Sequence, residues 1–193
     1  MRTPDISPLT LDIRPMAYDH RDARRLVDEV QQEYVIRYGG PDETPLDHAH
    51  FSPPLGLFVI LYDETEPVAM GGWRIVESGP RDLGPDDGPS SASPSPQPVV
   101  AELKRMYVVP SRRGRGLARA VLAHLEVTAA AAGAGWLVLE TGTMQPEAIA
   151  LYAASGYTPV PPFGHYADQP GSIHLGKGLP APADPSAAAT GAG

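Results

Sequence analysis

The chain has 193 residues, 42% of them hydrophobic, which is enough for one globular domain with its own core. A formal net charge of −8 argues against a general polyanion binder, because nucleic-acid domains carry a net basic field; any anion has to be met by a local basic patch. The lack of cysteine excludes disulfides, thiolate catalysis and cysteine-bound zinc and fits a reducing compartment. The longest apolar run, Leu57 to Leu61, is too short to cross a bilayer, and "MRTPDISPLTLD" lacks the apolar block of a signal peptide, so a soluble, cytoplasmic protein is expected.

In chain order, "LTLDIRPM" (Leu9 to Met16) alternates like a strand. A helix follows, with Ala23, Leu26, Val27, Val30 and Tyr34 at helical spacing, ending at Gly39 and Gly40. A loop runs to Pro54. "LGLFVILYD" and "VAMGGWRIVE", joined by a turn at Glu64 to Pro67, read as an antiparallel hairpin. Ser78 to Pro98, rich in Pro, Ser, Gly and Asp, reads as a mobile insertion. "VVAELKRMYVVP" is a strand whose alternation puts Val100, Glu102, Lys104, Met106 and Val108 on one face and Ala101, Leu103, Arg105, Tyr107 and Val109 on the other. The next helix buries Leu117, Val121 and Leu125 with Ala118, Leu122 and Ala129 beside them, turns Arg115, Arg119 and Glu126 elsewhere, and stops near Gly133 and Gly135. "WLVLET" is a short strand, "QPEAIALYAAS" a short helix closed by Gly156, and "YTPV" and "SIHLGKG" two last strands. One domain over residues 1–178 is expected, with a disordered insertion at 78–98 and a disordered tail at 179–193.

The turn "VPSRRGRGLA" joins a strand to a helix, which aims backbone N–H groups and the positive helix end at one spot, a geometry suited to a phosphate or diphosphate. Gly114 and Gly116 leave out side chains where a ligand has to approach the backbone, and Arg112, Arg113 and Arg115 add attraction at longer range. A solvated surface turn is the plainer alternative. No G-x-x-x-x-G-K-[ST] string occurs, and "GRGLAR" supplies only two glycines of a dinucleotide fingerprint.

"RGRGLA" resembles the acyl-CoA loop R/Q-x-x-G-x-G/A of the GCN5-related N-acetyltransferase (GNAT) superfamily, with Arg113, Gly116 and Ala118 in the three marked places. "ELKRMYVVP" is similar to that family's fourth strand, "LETG" to its fifth, and "QPEAIALYAASGY" to its closing helix and aromatic step; "PPFGHYADQPGSIHLGKGL" is similar to a bacterial branch. The resemblance implies an α+β fold with a central, mostly antiparallel sheet splayed between strands four and five and flanked by helices. It implies acetyl-CoA or coenzyme A as co-substrate and no metal.

The pantetheine arm would pair with the backbone of Met106, Tyr107 and Val108, the Val108 N–H would polarise the thioester carbonyl, and the diphosphate would lie on Arg113, Gly114, Arg115, Gly116, Leu117 and Ala118. Tyr152 is implied as the acid that protonates the leaving thiolate, and Glu102 as the base, with Glu140 in reserve. The competing reading makes Tyr152 a packed aromatic and Glu102 a half-exposed residue paired with Lys104 or Arg74. Gln145 stands where many members have Asn, as a pantetheine contact or a helix cap. His48, His50, His165 and Tyr166 lie in the two loops that usually frame the acceptor. The reaction implied is acyl transfer to a primary amine of a small molecule, a protein lysine or an N-terminus, by a monomer or homodimer without nucleic acid or membrane; an acidic chain favours a cationic acceptor such as a polyamine. A non-catalytic acyl-CoA sensor is the alternative.

Overall fold

The computed structural model describes residues 11–76, 79–80 and 98–181. The insertion expected at 78–98 and the tail expected at 179–193 fall almost wholly outside the described residues. Among the described residues, seven strands and three α-helices follow in the order β1 (Leu11–Pro15), α1 (Arg21–Tyr38), β2 (Gly56–Asp63), β3 (Glu66–Val76), β4 (Val100–Val108), α2 (Leu117–Ala131), β5 (Trp136–Gly142), α3 (Pro146–Ala154), β6 (Thr158–Pro159) and β7 (Ser172–Gly178). This is the α+β class the sequence implied, with a mixed and mostly antiparallel sheet.

The chain falls into two compact units interleaved in sequence. The first takes the described residues up to Arg74 and Lys104–Leu125; the second takes Ile75–Leu103 and the residues from Glu126 onward.

In the first unit the strand order is β1-β2-β3-β4. α1 starts on His20, whose Nδ1 accepts from the Asp22 N–H, and stops at Gly39, whose φ of 81° ends the helix in the left-handed conformation glycine adopts at low cost. Its stripe of Ala23, Leu26 and Val30 packs with Phe51, Phe58, Ile60, Tyr62, Met70 and Tyr107. Phe51, only 2% exposed, comes from a one-turn 3-10 helix at His48–Phe51 inside the stretch read as plain loop. Met70 joins the α1 cluster, whereas a Cβ on the adjacent Gly71 would meet Met106, Val121 and Leu125. Successive strand residues point to opposite faces, so α1 and α2 cover opposite sides of these strands.

In the second unit the order is β4-β5-β7-β6. β4 and β5 share a parallel ladder of only three pairs, Val100–Glu102 with Trp136–Val138, while β5 pairs antiparallel with β7 along all seven of its residues. Val100, Val138 and Phe163 form a cluster with Val76, Trp136 and Val160 against it.

Lys177 Nζ donates to Glu126 Oε2 at 2.7 Å, and that carboxylate acts on the buried Tyr157 hydroxyl. One expectation needs correcting. The regular alternation expected along β4 is interrupted at Arg105, whose φ of 59° is left-handed, a conformation that inside a strand marks a local break in the pleat.

Four tyrosines share an electrostatic consequence. Burial, then the Asp22 carboxylate to which its hydroxyl donates at 2.9 Å, pushes Tyr62 up to about 12; burial, then the charges of Glu29 and Glu33, pushes Tyr107 up to about 12. Tyr34 and Tyr157 are raised further, burial being the leading cause in both. Above pH of about 10 the unfolded chain releases these protons while the folded chain keeps them, so stability present below that pH is lost as pH rises toward 12. Melting temperature is expected to fall steeply over that window, and Tyr62→Phe combined with Tyr107→Phe to flatten the fall; an unchanged slope in the double variant would refute the assignment.

Candidate active site

The strand–turn–helix segment lies in the first unit. β4 ends at Val108, a short 3-10 turn at Pro110–Arg112 reverses the chain, and α2 begins at Leu117 with Ala120 N–H bonded to Gly116 C=O at 3.0 Å. The first N–H groups of a helix have no carbonyl partner within it, so Leu117 and Ala118 present theirs outward alongside the positive helix end. Gly114 and Gly116 have φ of 75° and 78°, and a Cβ on either would meet nothing within 4 Å. Their glycine identity therefore answers a backbone conformation and an open approach, not crowding by the protein.

The arginines of the turn are more committed than their sequence implied. Arg113 Nε donates to the Val108 carbonyl at 3.0 Å, its Nη2 pairs closely with Glu33 of α1, and its guanidinium lies 5.7 Å from the Tyr107 ring centroid. Arg112 Nη2 pairs with Asp63 at 3.2 Å, while Arg115 stands exposed. Two of the three charges counted on for long-range attraction are thus matched by carboxylates. The Val109 N–H donates to Val68 C=O on β3 at 3.0 Å, and strand alternation turns the Val108 N–H the other way. Met106 and Val108 are half-buried and Tyr107 is buried with its hydroxyl donating to Glu29 at 3.2 Å.

Glu102, Glu140, Gln145, Tyr152, His165 and Tyr166 belong to the second unit, His48 and His50 to the first. Glu102 is 4% exposed, so the half-exposed surface position offered as its competing reading does not hold. Strand register sets Glu102 beside Val138 and Glu140 beside His174, putting Val100, Glu102, Val138, Glu140 and His174 on one face. Ser172 Oγ donates to Glu140 Oε1 at 3.3 Å, and Phe163 meets the buried His174 edge-on with centroids 5.1 Å apart. Tyr152, 5% exposed, lies in the last turns of α3 with its ring 5.5 Å from that of Tyr157, whose backbone N–H bonds the Tyr152 carbonyl at 3.1 Å. Gln145 occupies the N-cap position of α3 without a side-chain cap bond, which removes the capping explanation for it. His48 and His165 are exposed, His48 tilted against the Tyr18 ring at 4.7 Å and His165 edge-on to the Tyr166 ring at 4.6 Å between centroids. Among the described residues no group of three His, Cys, Asp or Glu could hold a metal, and no helix is long and apolar enough to cross a membrane.

Two residues of note were invisible to sequence reading. His174 sits in "SIHLGKG", where only the register of β7 on β5 sets it beside Glu140. Arg105 read as an ordinary strand residue; its left-handed φ and its Asp42 partner are tertiary facts.

The fold is an α+β domain in which two left-handed glycines with open Cβ positions lead into its second helix. The chain belongs to the acetyltransferase (GNAT) family, whose sequence model matches residues 23–157. It is 44% identical over 78 residues to an IAA acetyltransferase of Azospirillum brasilense, a match covering 40% of this chain and 51% of that protein, so the chain spans about half the length of that curated relative. Its fold is similar to that of a candidate acyl-CoA N-acyltransferase from Klebsiella pneumoniae (TM-score 0.64, 26% identity, 88% of this chain and 98% of that one). It is also similar to that of Arabidopsis thaliana NAA60 solved with acetyl-CoA (TM-score 0.60, 15% identity, 88% and 99%).

Proposed function

We propose that the protein transfers an acyl group, acetyl foremost, from acyl-CoA directly to a primary amine. The observation that carries this reading is the turn after β4, where two left-handed glycines with open Cβ positions lead into the start of α2. Its residues fit a diphosphate: the amides from Arg113 to Ala118 would hold it, with Arg113 acting mainly through Val108 and Glu33. Coenzyme A would supply the activated thioester. The backbone of Met106, Tyr107 and Val108 would pair with the pantetheine arm as an added strand does, and Gln145 would contact it from the start of α3. The Val108 N–H, turned away from β3, would stabilise the oxyanion that forms when the amine attacks.

Two proton transfers remain. An amine of pKa about 10.4 is neutral in about one molecule in two thousand at pH 7, so freeing its lone pair costs roughly 4 to 5 kcal/mol, and Glu102 takes that proton directly or through water, with Glu140 in reserve. Tyr152 returns a proton to the departing thiolate. We place the reaction in the bacterial cytoplasm, with a monomer or homodimer acting on an amine-bearing small molecule or peptide.

Release of free thiol from acetyl-CoA, measured against a panel of amines, tests the proposal. Amine-dependent release is expected; tight acetyl-CoA binding with transfer to no acceptor would favour a binding module instead. Glu102→Gln is expected to depress the rate most at low pH, where free amine is scarcest, and to approach the parent rate as pH rises; a defect equal at all pH values would remove Glu102 as the base.

A further inference from the structure

Arg105 is buried, its side chain only 4% exposed, yet the fold does not use up its hydrogen-bonding capacity. Nη1 lies 2.9 Å from Asp42 Oδ2 but off the hydrogen-bonding direction, and Nε has no partner among the described residues. A guanidinium carries five N–H donors, and leaving such donors buried and unmet is costly. The residue also holds a φ of 59°, a left-handed conformation that a side chain longer than glycine's adopts only under constraint and that concentrates at functional sites. Cost in solvation and cost in backbone conformation fall on the same residue, and that residue directly precedes Met106 on the stretch proposed to carry the thioester.

Its partner is a fixed anion. Asp42 Oδ1 accepts from Thr44 N–H at 2.9 Å and from Thr44 Oγ1 at 2.6 Å, and its own N–H donates to Gln31 Oε1 at 2.8 Å. Burial works to raise the Asp42 carboxyl, but Arg105, the two Thr44 donors and Lys104 outweigh it and hold it below the usual carboxylate range. The charged and titratable groups around this point are Lys104 on β4, Asp42 in the connection after α1, and Tyr34 on α1, which burial keeps protonated; Glu33, further along α1, is paired with Arg113 and Arg37. Asp42 therefore holds the guanidinium from one side, while the buried Nε is left without a partner among the described residues. The connection carrying Asp42 and Thr44 is one of the two that frame the acceptor in the sequence reading.

We propose that Arg105 reads a carboxylate on the acceptor, so that the amine acylated belongs to an amino acid or a similar amino-carboxylate and not to a polyamine or simple alkylamine. The inference rests on the acyl-transfer reading. A carboxylate oxygen would accept from Nε–H in a charge-assisted bond and meet the buried donor that the protein leaves open. Site and reaction then divide the work: the backbone beyond Arg105 holds the thioester, and the guanidinium fixes the distance between amine and carboxylate. Arg105 is by this account a specificity residue, not an acid or base.

The test uses the full chain with saturating coenzyme A and two readouts. In arginine Nε-labelled protein, amino acids at millimolar concentration are expected to shift the Arg105 Nε–H resonance saturably, while the matching amino acid amides do not. In turnover with acetyl-CoA, at least one amino acid is expected to exceed its amide by about 10- to 100-fold in kcat/KM, the range of a charge-assisted bond. Arg105→Lys, which keeps the charge beside Asp42 but has no Nε–H, is expected to erase that preference without changing acetyl-CoA affinity; a merely structural arginine would lower both substrates' rates equally. Absence of any Arg105 shift with carboxylates, or a preference that survives in the lysine variant, would overturn the proposal. If coenzyme A itself perturbs no amide of the turn, the acyl-transfer reading fails separately, and the resonance of Arg105 with carboxylates still reports on the site.

Discussion

Replacing Gly116 by valine is expected to weaken coenzyme A binding at least about 100-fold, close to 2.7 kcal/mol, in a calorimetric titration. Two effects combine. At φ of 78° a β-branched residue is strained, by about 1 to 2 kcal/mol, so the turn relaxes away from the shape that aims its amides. The new Cβ and its methyls also project into space that the protein leaves open, which on the proposed reading a diphosphate would occupy. Gly133→Ala is the control. That glycine, beyond the other end of α2, has φ of 90° and equally open surroundings, so alanine there incurs similar strain without obstructing the turn. Coenzyme A affinity is expected to survive in Gly133→Ala and fail in Gly116→Val; equal affinity in both would show that the turn does not hold the diphosphate.

Tyr152→Phe is expected to lower kcat by about 10²- to 10⁴-fold while leaving acetyl-CoA affinity unchanged, the range in which a positioned general acid contributes. The ring stays: phenylalanine keeps the packing of a residue 5% exposed against Tyr157, 5.5 Å away, so the fold is not the variable. A thioester with a more acidic thiol has less need of a proton on departure, so the gap between parent and variant is expected to narrow with such a donor. An unchanged kcat in the phenylalanine variant, or a defect indifferent to the leaving group, would remove Tyr152 from the chemistry.

The parts of this protein that were readable from its sequence are those specified locally. Helix ends follow from Gly39, Gly133 and Gly156, all with positive φ, and the hairpin from two apolar runs around a short polar turn. The turn after β4 was readable because glycine at Gly114 and Gly116 is a local requirement of left-handed backbone. What stayed hidden depends on partners far away in the chain. Glu102 looked half-exposed because alternation alone does not say that the β4–β5 ladder will bury it beside Val138. Arg112 and Arg113 looked like free charges until Asp63 and Glu33 were brought to them. The break at Arg105 had no local marker, since a glycine or asparagine would have announced it and an arginine does not.

Acyl transfer by this protein, as proposed, requires a diphosphate held by main-chain amides where β4 passes into α2. Amide resonances of the uniformly labelled protein, followed while coenzyme A is added, test it most directly. Saturable shifts concentrated from Arg113 to Ala118, with Met106 to Val108 moving in step, are predicted; a titration in which those amides stay still would contradict it.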